Sequence, residues 1–392
     1  MEAEAFAGVE VEPERLISRD FLLACLGRAA FFSSTSLLMA VIPLYVLSIG
    51  GSESLTGLVV GMFSVPVVIL SVFAGRYGDE RGRKGMMLLG SAVLLPAALL
   101  YNLAVSIPLL IGLRLFHGTS LASFSSTGIS LAADITPSHR RGEAIGWFGT
   151  SSNLSQSISP ALGMFVYQIY GFWAVFFASA VMGGLAFLLT LLIKEPTRLK
   201  HRPQGTRGKL FSRGALLPAT VACCLTVTWG TAIAFVPLFA SANRIGNFGF
   251  FFSAVTAAMV LSRLVAGPAS DRFGRTSVAL PGLVLAAVAL VLLSASTSLA
   301  MLLVSGILLG LSLGSVIPVL MALAIDRVEP EDRGSSMGTF GTALELGSGL
   351  GAMLFGLVLE ASNFRTMFIF AGMVPLLGVV AFGWQYLRAR RS

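Results

Sequence analysis

Glu345 stands in the stretch Gly341-Thr-Ala-Leu-Glu-Leu-Gly-Ser-Gly349, the one carboxylate deep inside any of the chain's long apolar runs. Such runs are about 20 residues long, the length that crosses a bilayer as a helix. A charge at mid-bilayer costs about 2.5 kcal/mol or more, so an ionisable side chain there must face a cavity or a partner. A carboxyl group so placed can bind and release a proton; the competing reading is a structural hydrogen bond. Arg28 and Arg114 are cations within runs. A guanidinium stays protonated, so it cannot carry the proton itself; it tunes a neighbour or binds a substrate group. Arg28 can extend its stem to water, line a cavity or pair with Glu345. His117 follows Arg114 on nearly the same helical face, and an imidazole changes charge near neutral pH. Read otherwise, it is a packed, hydrogen-bonded histidine.

A second chemistry sits between the runs. The stretch GRYGDERGRK, Gly75 to Lys84, crowds charges into a chain in which only 12% of residues are charged. GPASDRFGRT, Gly267 to Thr276, repeats its frame. Asp79, Gly82 and Arg83 recur 192 residues later as Asp271, Gly274 and Arg275. At the same offset Asp134 recurs as Asp326, Arg141-Gly142 as Arg333-Gly334, and Gly118 as Gly310. One constant offset over this length marks an internal duplication. Asp79 follows a helix end, where it can pair with Arg83 or with a helix N-terminus, that of span 11. Gly82 permits a sharp turn, and Gly75 the close approach of a helix from the other half.

The elements that position these groups are helices. The chain has 392 residues, 55% of them apolar, with 43 glycines. Strand-sized alternating segments, the mark of a barrel, are not its pattern. The runs predict an all-α integral membrane protein of twelve spans, with approximate limits 21–48, 54–75, 85–104, 107–133, 143–168, 171–193, 214–240, 248–268, 277–296, 299–325, 335–359 and 364–387. With the N-terminus in the cytoplasm, 22 Lys and Arg lie in the inner connections and two, Arg244 and Arg365, in the outer ones. That asymmetry places both termini inside. The net charge of +8 then faces anionic headgroups, and no nucleic-acid partner is needed to explain it. Residues 1–20 read as a cytoplasmic tail, too acidic for a signal peptide. Residues 21–193 form one six-helix bundle, 194–213 a basic cytoplasmic linker, 214–387 a second bundle and 388–392 a short tail. Cys25, Cys223 and Cys224 all lie in apolar runs and suit neither a disulfide nor a metal cage. No metal site and no cofactor are expected, nor is an enzyme: there is no nucleophile–base pair and no phosphate-binding loop.

In span 5, Ser151, Ser155, Ser159 and Gly163 recur every four residues. They make a stripe of small residues suited to close packing against a helix of the opposite half, and Pro160 can bend the helix there. Static packing and gating both fit this pattern. Two copies of six spans share one membrane orientation, an arrangement that encloses a site near the midplane and permits alternating access.

The loop pattern carried by Gly75, Asp79, Arg81, Gly82, Arg83 and Lys84, with a degenerate copy at Gly267, Asp271, Arg272, Gly274 and Arg275, resembles the signature loop of the major facilitator superfamily. Arg114-Leu-Phe-His-Gly118 resembles the R-x-x-x-G motif assigned to proton coupling in its twelve-span drug:proton antiporters. Ser155-Gln-Ser-Ile-Ser-Pro-Ala-Leu-Gly163 resembles their span-5 motif, with Ser159-Pro160 where the family has Gly-Pro. The Pro43 end of span 1 is similar as well. The resemblance implies that the loops act as a charge latch, closed while the cavity faces outward. It implies a cavity lined by spans 1, 4, 7 and 10, with Ser33, Ser34, Ser36, Ser123, Thr226, Trp229 and Ser312 as polar or aromatic liners. It also implies a monomer in the inner (plasma) membrane, exchanging a small amphiphilic or drug-like molecule for a proton and driven by the proton gradient. Two alternatives remain: a carrier of polar metabolites, such as a sugar or metallophore, and a transporter-like membrane sensor.

Overall fold

In a computed structural model, residues 17–194, 212–329 and 332–389 are described; the linker, except for its ends, and most of the N-terminal tail lie outside them. Helices account for nearly all of this length. The first six spans are α1 (Arg19–Met39) with α2 (Ile42–Ser48), α3 (Glu53–Met62) with α4 (Ser64–Arg81), α5 (Arg83–Leu100), α6 (Ile107–Asp134), α7 (Arg141–Tyr170) and α8 (Phe172–Leu191). The second six are α9 (Leu216–Ala242), α10 (Gly249–Phe273), α11 (Arg275–Ser294), α12 (Leu299–Asp326), α13 (Arg333–Glu360) and α14 (Phe364–Ala389).

Local chemistry sets several ends. Ser18, Ser52 and Ser298 accept from the backbone N–H three residues on and so cap α1, α3 and α12. Pro43 in the first turn of α2 separates it from α1. Gly82 and Gly274 turn the chain between α4 and α5 and between α10 and α11, with φ of 112° and 91°. Their ψ values of 133° and 153° complete a conformation that essentially only glycine adopts. The repeated glycine of the two charged loops is therefore a backbone requirement.

Among the described residues, eleven helices are long and apolar enough to cross a membrane by length and composition. The exception is α7, the fifth span, although it has 30 residues. Serines, Asn153 and Gln156 lower its hydropathy, but the helix itself accepts many of their hydrogen bonds. Ser151 donates to the Phe148 carbonyl at 2.7 Å and Ser152 to that of Gly149 at 2.8 Å. Polar side chains satisfied in this way are tolerated in lipid.

The two halves pack alike. In the first, α1 lies against α7 and α8, and α5 against α6 and α8; in the second, α9 lies against α13 and α14, and α11 against α12 and α14. Ser34 and Ser179 exchange hydroxyl-to-carbonyl hydrogen bonds of 2.7 and 2.9 Å, which tie α1 to α8. The halves meet where α3 and α4 touch α13, and where α7 touches α10. These contacts gather away from the two charged turns. Ser157 and Ser253 donate to each other's carbonyls across α7 and α10. A Cβ on Gly249 would lie 2.6 Å from both Ala161 Cα and the Pro160 oxygen. A Cβ on Gly61 would come as close to the Gly349 oxygen. At the end that carries the charged turns, a Cβ added to Gly75, Gly142, Gly146, Gly149, Gly267, Gly334, Gly338 or Gly341 would meet nothing within 4 Å. The halves are thus closed at one end and parted at the basic end.

Candidate functional site

Between the halves lies a cavity of about 290 Å³, lined by α1, the α3–α4 break, α6, α7, α9 and α13, with Ile317 from α12. Glu345 opens into it, half-buried, and no hydrogen bond or ion pair reaches its carboxylate from the described residues. Ser348 lies one turn on, Thr226 and Trp229 face it from α9, and Gln156 comes from α7. Apolar groups form most of the remaining wall, among them Phe32, Met39, Ile42, Phe63 and Leu344. Several polar liners already use their donors within their own helices. Thr35 donates to the Phe31 carbonyl, Thr226 to that of Ala222 at 3.0 Å, and Gln156 to that of Ser152. Ser36, Ser64, Ser348, the Trp229 indole N–H and Glu345 keep their capacity among the described residues, a small polar set in a wall that is otherwise apolar.

Arg114 borders the same cavity and is tied down there. Its Nε and Nη2 donate to the carbonyls of Val59 and Val60, both at 3.2 Å, and its guanidinium lies 4.5 Å from the Phe63 ring centre. These carbonyls belong to the last turn of α3, where the helix breaks at Phe63 and leaves acceptors without intrahelical donors. A cation at a helix C-terminus also meets the negative end of its dipole. Gly118, one turn along α6, faces the same break: a Cβ there would overlap the Phe63 carbonyl and Pro66. The Arg-x-x-x-Gly spacing thus builds one joint, with Arg114 capping the broken helix and Gly118 letting α6 reach it.

His117 turns away from the cavity. It is fully buried, and its Nδ1 lies 3.0 Å from Tyr101 Oη. Its ring stands edge-on to Phe63. Arg28 does not pair with Glu345. Its guanidinium carbon lies 4.8 and 4.5 Å from the ring centres of Phe32 and Phe148.

The charged turns show a pairing that their own spacing concealed. Arg83 bonds to the Asp134 carboxylate at the end of α6 and donates to the Ser130 carbonyl at 3.0 Å. In the repeat, Arg275 bonds to Asp271 at 2.7 Å and reaches Asp326 at the end of α12 at 3.4 Å. Asp134 and Asp326 recur at the same 192-residue offset as the turns, so the duplication alone carries the signal that links them. Lys84 donates to the Leu191 carbonyl at the end of α8, at 2.9 Å. Arg272 lies 5.3 Å from the Phe273 ring centre. The side chains of Asp79 and Arg81 lie outside the described residues. Gly75 and Gly267 touch no helix of the opposite half.

The span-5 stripe packs, but not across the halves. Ser155 donates to the Ala29 carbonyl at 2.8 Å, and Gly163 abuts the backbone of Leu37, so Ser151, Ser155, Ser159 and Gly163 face α1 of their own half. The repeat does the same, since Gly347 and Gly351 abut Cys223 and Val227 of α9. The reason is angular. A four-residue repeat drifts little around a helix, so it marks one face only. The face turned to the other half carries Ser157, Pro160 and Ala161. Of the expected liners, Ser36, Thr226 and Trp229 line the cavity. Ser34 and Ser312 are buried against Ser179 and the Gly282 carbonyl instead.

Two pseudo-symmetric six-helix halves around a shared cavity define a membrane carrier, and the comparisons with known proteins give it a family. The sequence model of the Major Facilitator Superfamily matches residues 24–247 and 240–392, and the chain belongs to that superfamily. It is 26% identical to the multidrug resistance protein MdtG of Citrobacter koseri over 95% of this chain and 96% of that protein. It is 22% identical to an uncharacterized MFS-type transporter of Methanocaldococcus jannaschii, over 90% and 93% of the two chains. Among solved structures, the nucleoside transporter NupG superposes with a TM-score of 0.75 at 14% identity, covering 93% of this chain and 99% of that one. A POT family transporter bound to 5-aminolevulinic acid superposes with a TM-score of 0.78 at 13% identity, covering 93% and 95%. The protein is a multi-pass membrane transporter.

Proposed function

We propose that this transporter is a proton-coupled exporter of small amphiphilic, drug-like molecules and works by alternating access. The observation that carries the reading is Glu345, a carboxylate inside a mostly apolar cavity between the two halves, with no partner among the described residues. A group so placed can bind either a proton or a cationic substrate, and competition for one site is enough to couple their movements in opposite directions. Arg114 holds the α3 break beside this site and does not carry the proton. The MdtG relatives favour efflux of multiple drugs over uptake of a nutrient.

With the basic end in the cytoplasm, as the distribution of Lys and Arg requires, the parted end faces inward and the closed end outward. This is the inward-open member of the cycle. In it the Arg83–Asp134 and Arg275–Asp326 pairs hold each half's own helix ends together at the mouth of the opening. Closing that mouth requires α4 and α10 to approach the opposite half along Gly75 and Gly267, so the charged turns act as the latch of the outward-facing state. The protein resides in the inner membrane with both termini inside, as a monomer, and takes its energy from the proton gradient.

The test uses purified protein in liposomes with a pH-sensitive dye inside and no imposed gradient. A panel of lipophilic cations, neutral drugs and sugars is added in turn. Proton movement that depends on a lipophilic compound, and is lost in Glu345→Gln, is expected. Proton movement driven by sugars alone would overturn the substrate class; lipophilic-compound transport without proton movement would overturn the coupling.

A further inference from the structure

Arg28 is a buried cation that the proposed mechanism leaves without work. Its residue is 8% exposed, and its Nε and Nη1 are buried with no hydrogen-bond partner among the described residues. The guanidinium carbon lies 4.8 Å from the ring centre of Phe32 on α1 and 4.5 Å from that of Phe148 on α7, and a Cβ on Gly128 of α6 would lie 3.8 Å from Nη1. Aromatic faces stabilise the charge but leave the in-plane N–H groups without an acceptor. An uncompensated charge held out of water is costly, so a side chain kept in this state marks a place where a partner arrives.

The position of Arg28 says where. Phe32, Thr35, Ser36 and Met39 are among the α1 residues that line the cavity. Residue 28 precedes Phe32 by one helical turn, so it continues the same face of α1 toward the basic end. The side chain therefore stands beneath the cavity, on the side where the halves are parted. An aromatic wall, Phe32, is shared by the cavity and the guanidinium.

We infer that Arg28 is the anion-binding subsite of the transport path, and that it recognises a carboxylate-type group on an amphiphilic substrate whose aromatic or apolar body occupies the central cavity. The inference rests on reading the cavity as the substrate site; beside cationic substrates, which compete with the proton at Glu345, it adds a carboxylate-bearing class that does not compete there and whose coupling runs through the shared conformational change. Either edge of the guanidinium, Nη1 with Nη2 or Nε with Nη2, matches a carboxylate with two parallel N–H donors, and each edge contains one of the two unpartnered nitrogens. A flat aromatic body extending from the acid group would meet Phe32, whose ring lies against the guanidinium. Glu345, on α13 of the other half, does not pair with this charge, so an organic anion and the proton use separate sites.

The experiment is equilibrium binding by titration calorimetry to the full chain in nanodiscs, with no gradient, so that a failure of proton coupling does not touch the result. The probes are 2-naphthoate and its uncharged isostere 2-naphthamide. The wild type is expected to bind naphthoate about tenfold or more tightly than naphthamide, the scale of a charge-assisted pair. Arg28→Met should erase that preference by weakening naphthoate far more than naphthamide, and retained naphthamide binding shows that the cavity is intact. Arg28→Lys, which keeps the charge and loses the fork, should retain part of it and serves if the Met variant does not fold. Arg114→Lys, which alters the cavity wall, should change the binding of both probes alike and leave their ratio. Equal binding of the two probes by the wild type would overturn the inference, as would an undiminished preference in Arg28→Met. A preference that follows Arg114 instead would overturn it too.

Discussion

Closure at the end remote from the charged turns depends on backbone contact at Gly249, and a single methyl group there tests the alternating-access reading. In Gly249→Ala the new Cβ would stand 2.6 Å from both Ala161 Cα and the Pro160 oxygen. Both are backbone atoms, so no flexible side chain can yield, and α7 and α10 must separate by about 1 Å to reach ordinary van der Waals contact. Overpacking of this kind costs about 1–3 kcal/mol. The reciprocal Ser157–Ser253 bonds span the same contact and weaken with it. At about 1.4 kcal/mol per tenfold, the inward-open state loses about 5- to 150-fold in population relative to the outward-open one. The assay places spin labels at Glu80→Cys and Arg333→Cys, exposed at the ends of α4 and α13 on the parted side, in a background carrying Cys25→Ala, Cys223→Ala and Cys224→Ala. The methyl group should move the distance distribution toward shorter values, because opening one end closes the other. A distribution identical to that of the parent, in protein of equal thermal stability, would refute the claim that the two ends are coupled through this contact.

Other outcomes follow from the same geometry. Arg114→Met removes two hydrogen bonds to the α3 carbonyls and should lower thermal stability by about 1–3 kcal/mol. Arg114→Lys should recover part of that loss, and an unchanged melting temperature in the Met variant would dismiss the capping role. Arg83→Gln and Asp134→Asn should impair transport to similar extents and the double variant no further; fully additive losses would show that the pair does not act as a unit. Gly82→Ala places a Cβ at φ 112° and should cost about 1–3 kcal/mol, read as a lower melting temperature. Transport by Glu345→Gln should no longer vary with pH between about 5 and 8, the range in which a coupling carboxyl must exchange its proton. A wild-type pH profile would return Glu345 to a structural role.

Glu345, the duplicated loops and the span count were legible in the chain because each leaves a signal in one dimension. A lone carboxylate in an apolar run is costly wherever the run folds, a constant 192-residue offset survives any packing, and a bilayer sets helix length directly. The glycines at 82 and 274 were legible as turns for the same local reason, since φ belongs to one residue. Azimuth and partner choice were not. The serines of span 5 spell out a packing face, yet whether that face meets α1 or α10 depends on how the helix is rotated within its bundle, which no spacing within span 5 records. Arg114 and His117 are three residues apart, but a break in another helix captures one at the cavity wall while the other is buried against Tyr101. Arg28 could pair with Glu345 as far as charge alone decides; two phenylalanine rings, one of them 120 residues away, hold it elsewhere. Sequence by itself determined which groups need compensation in lipid and how the chain divides; only the tertiary structure decided which of them meet, because contact between helices is set by rotation, tilt and the breaks that close packing imposes.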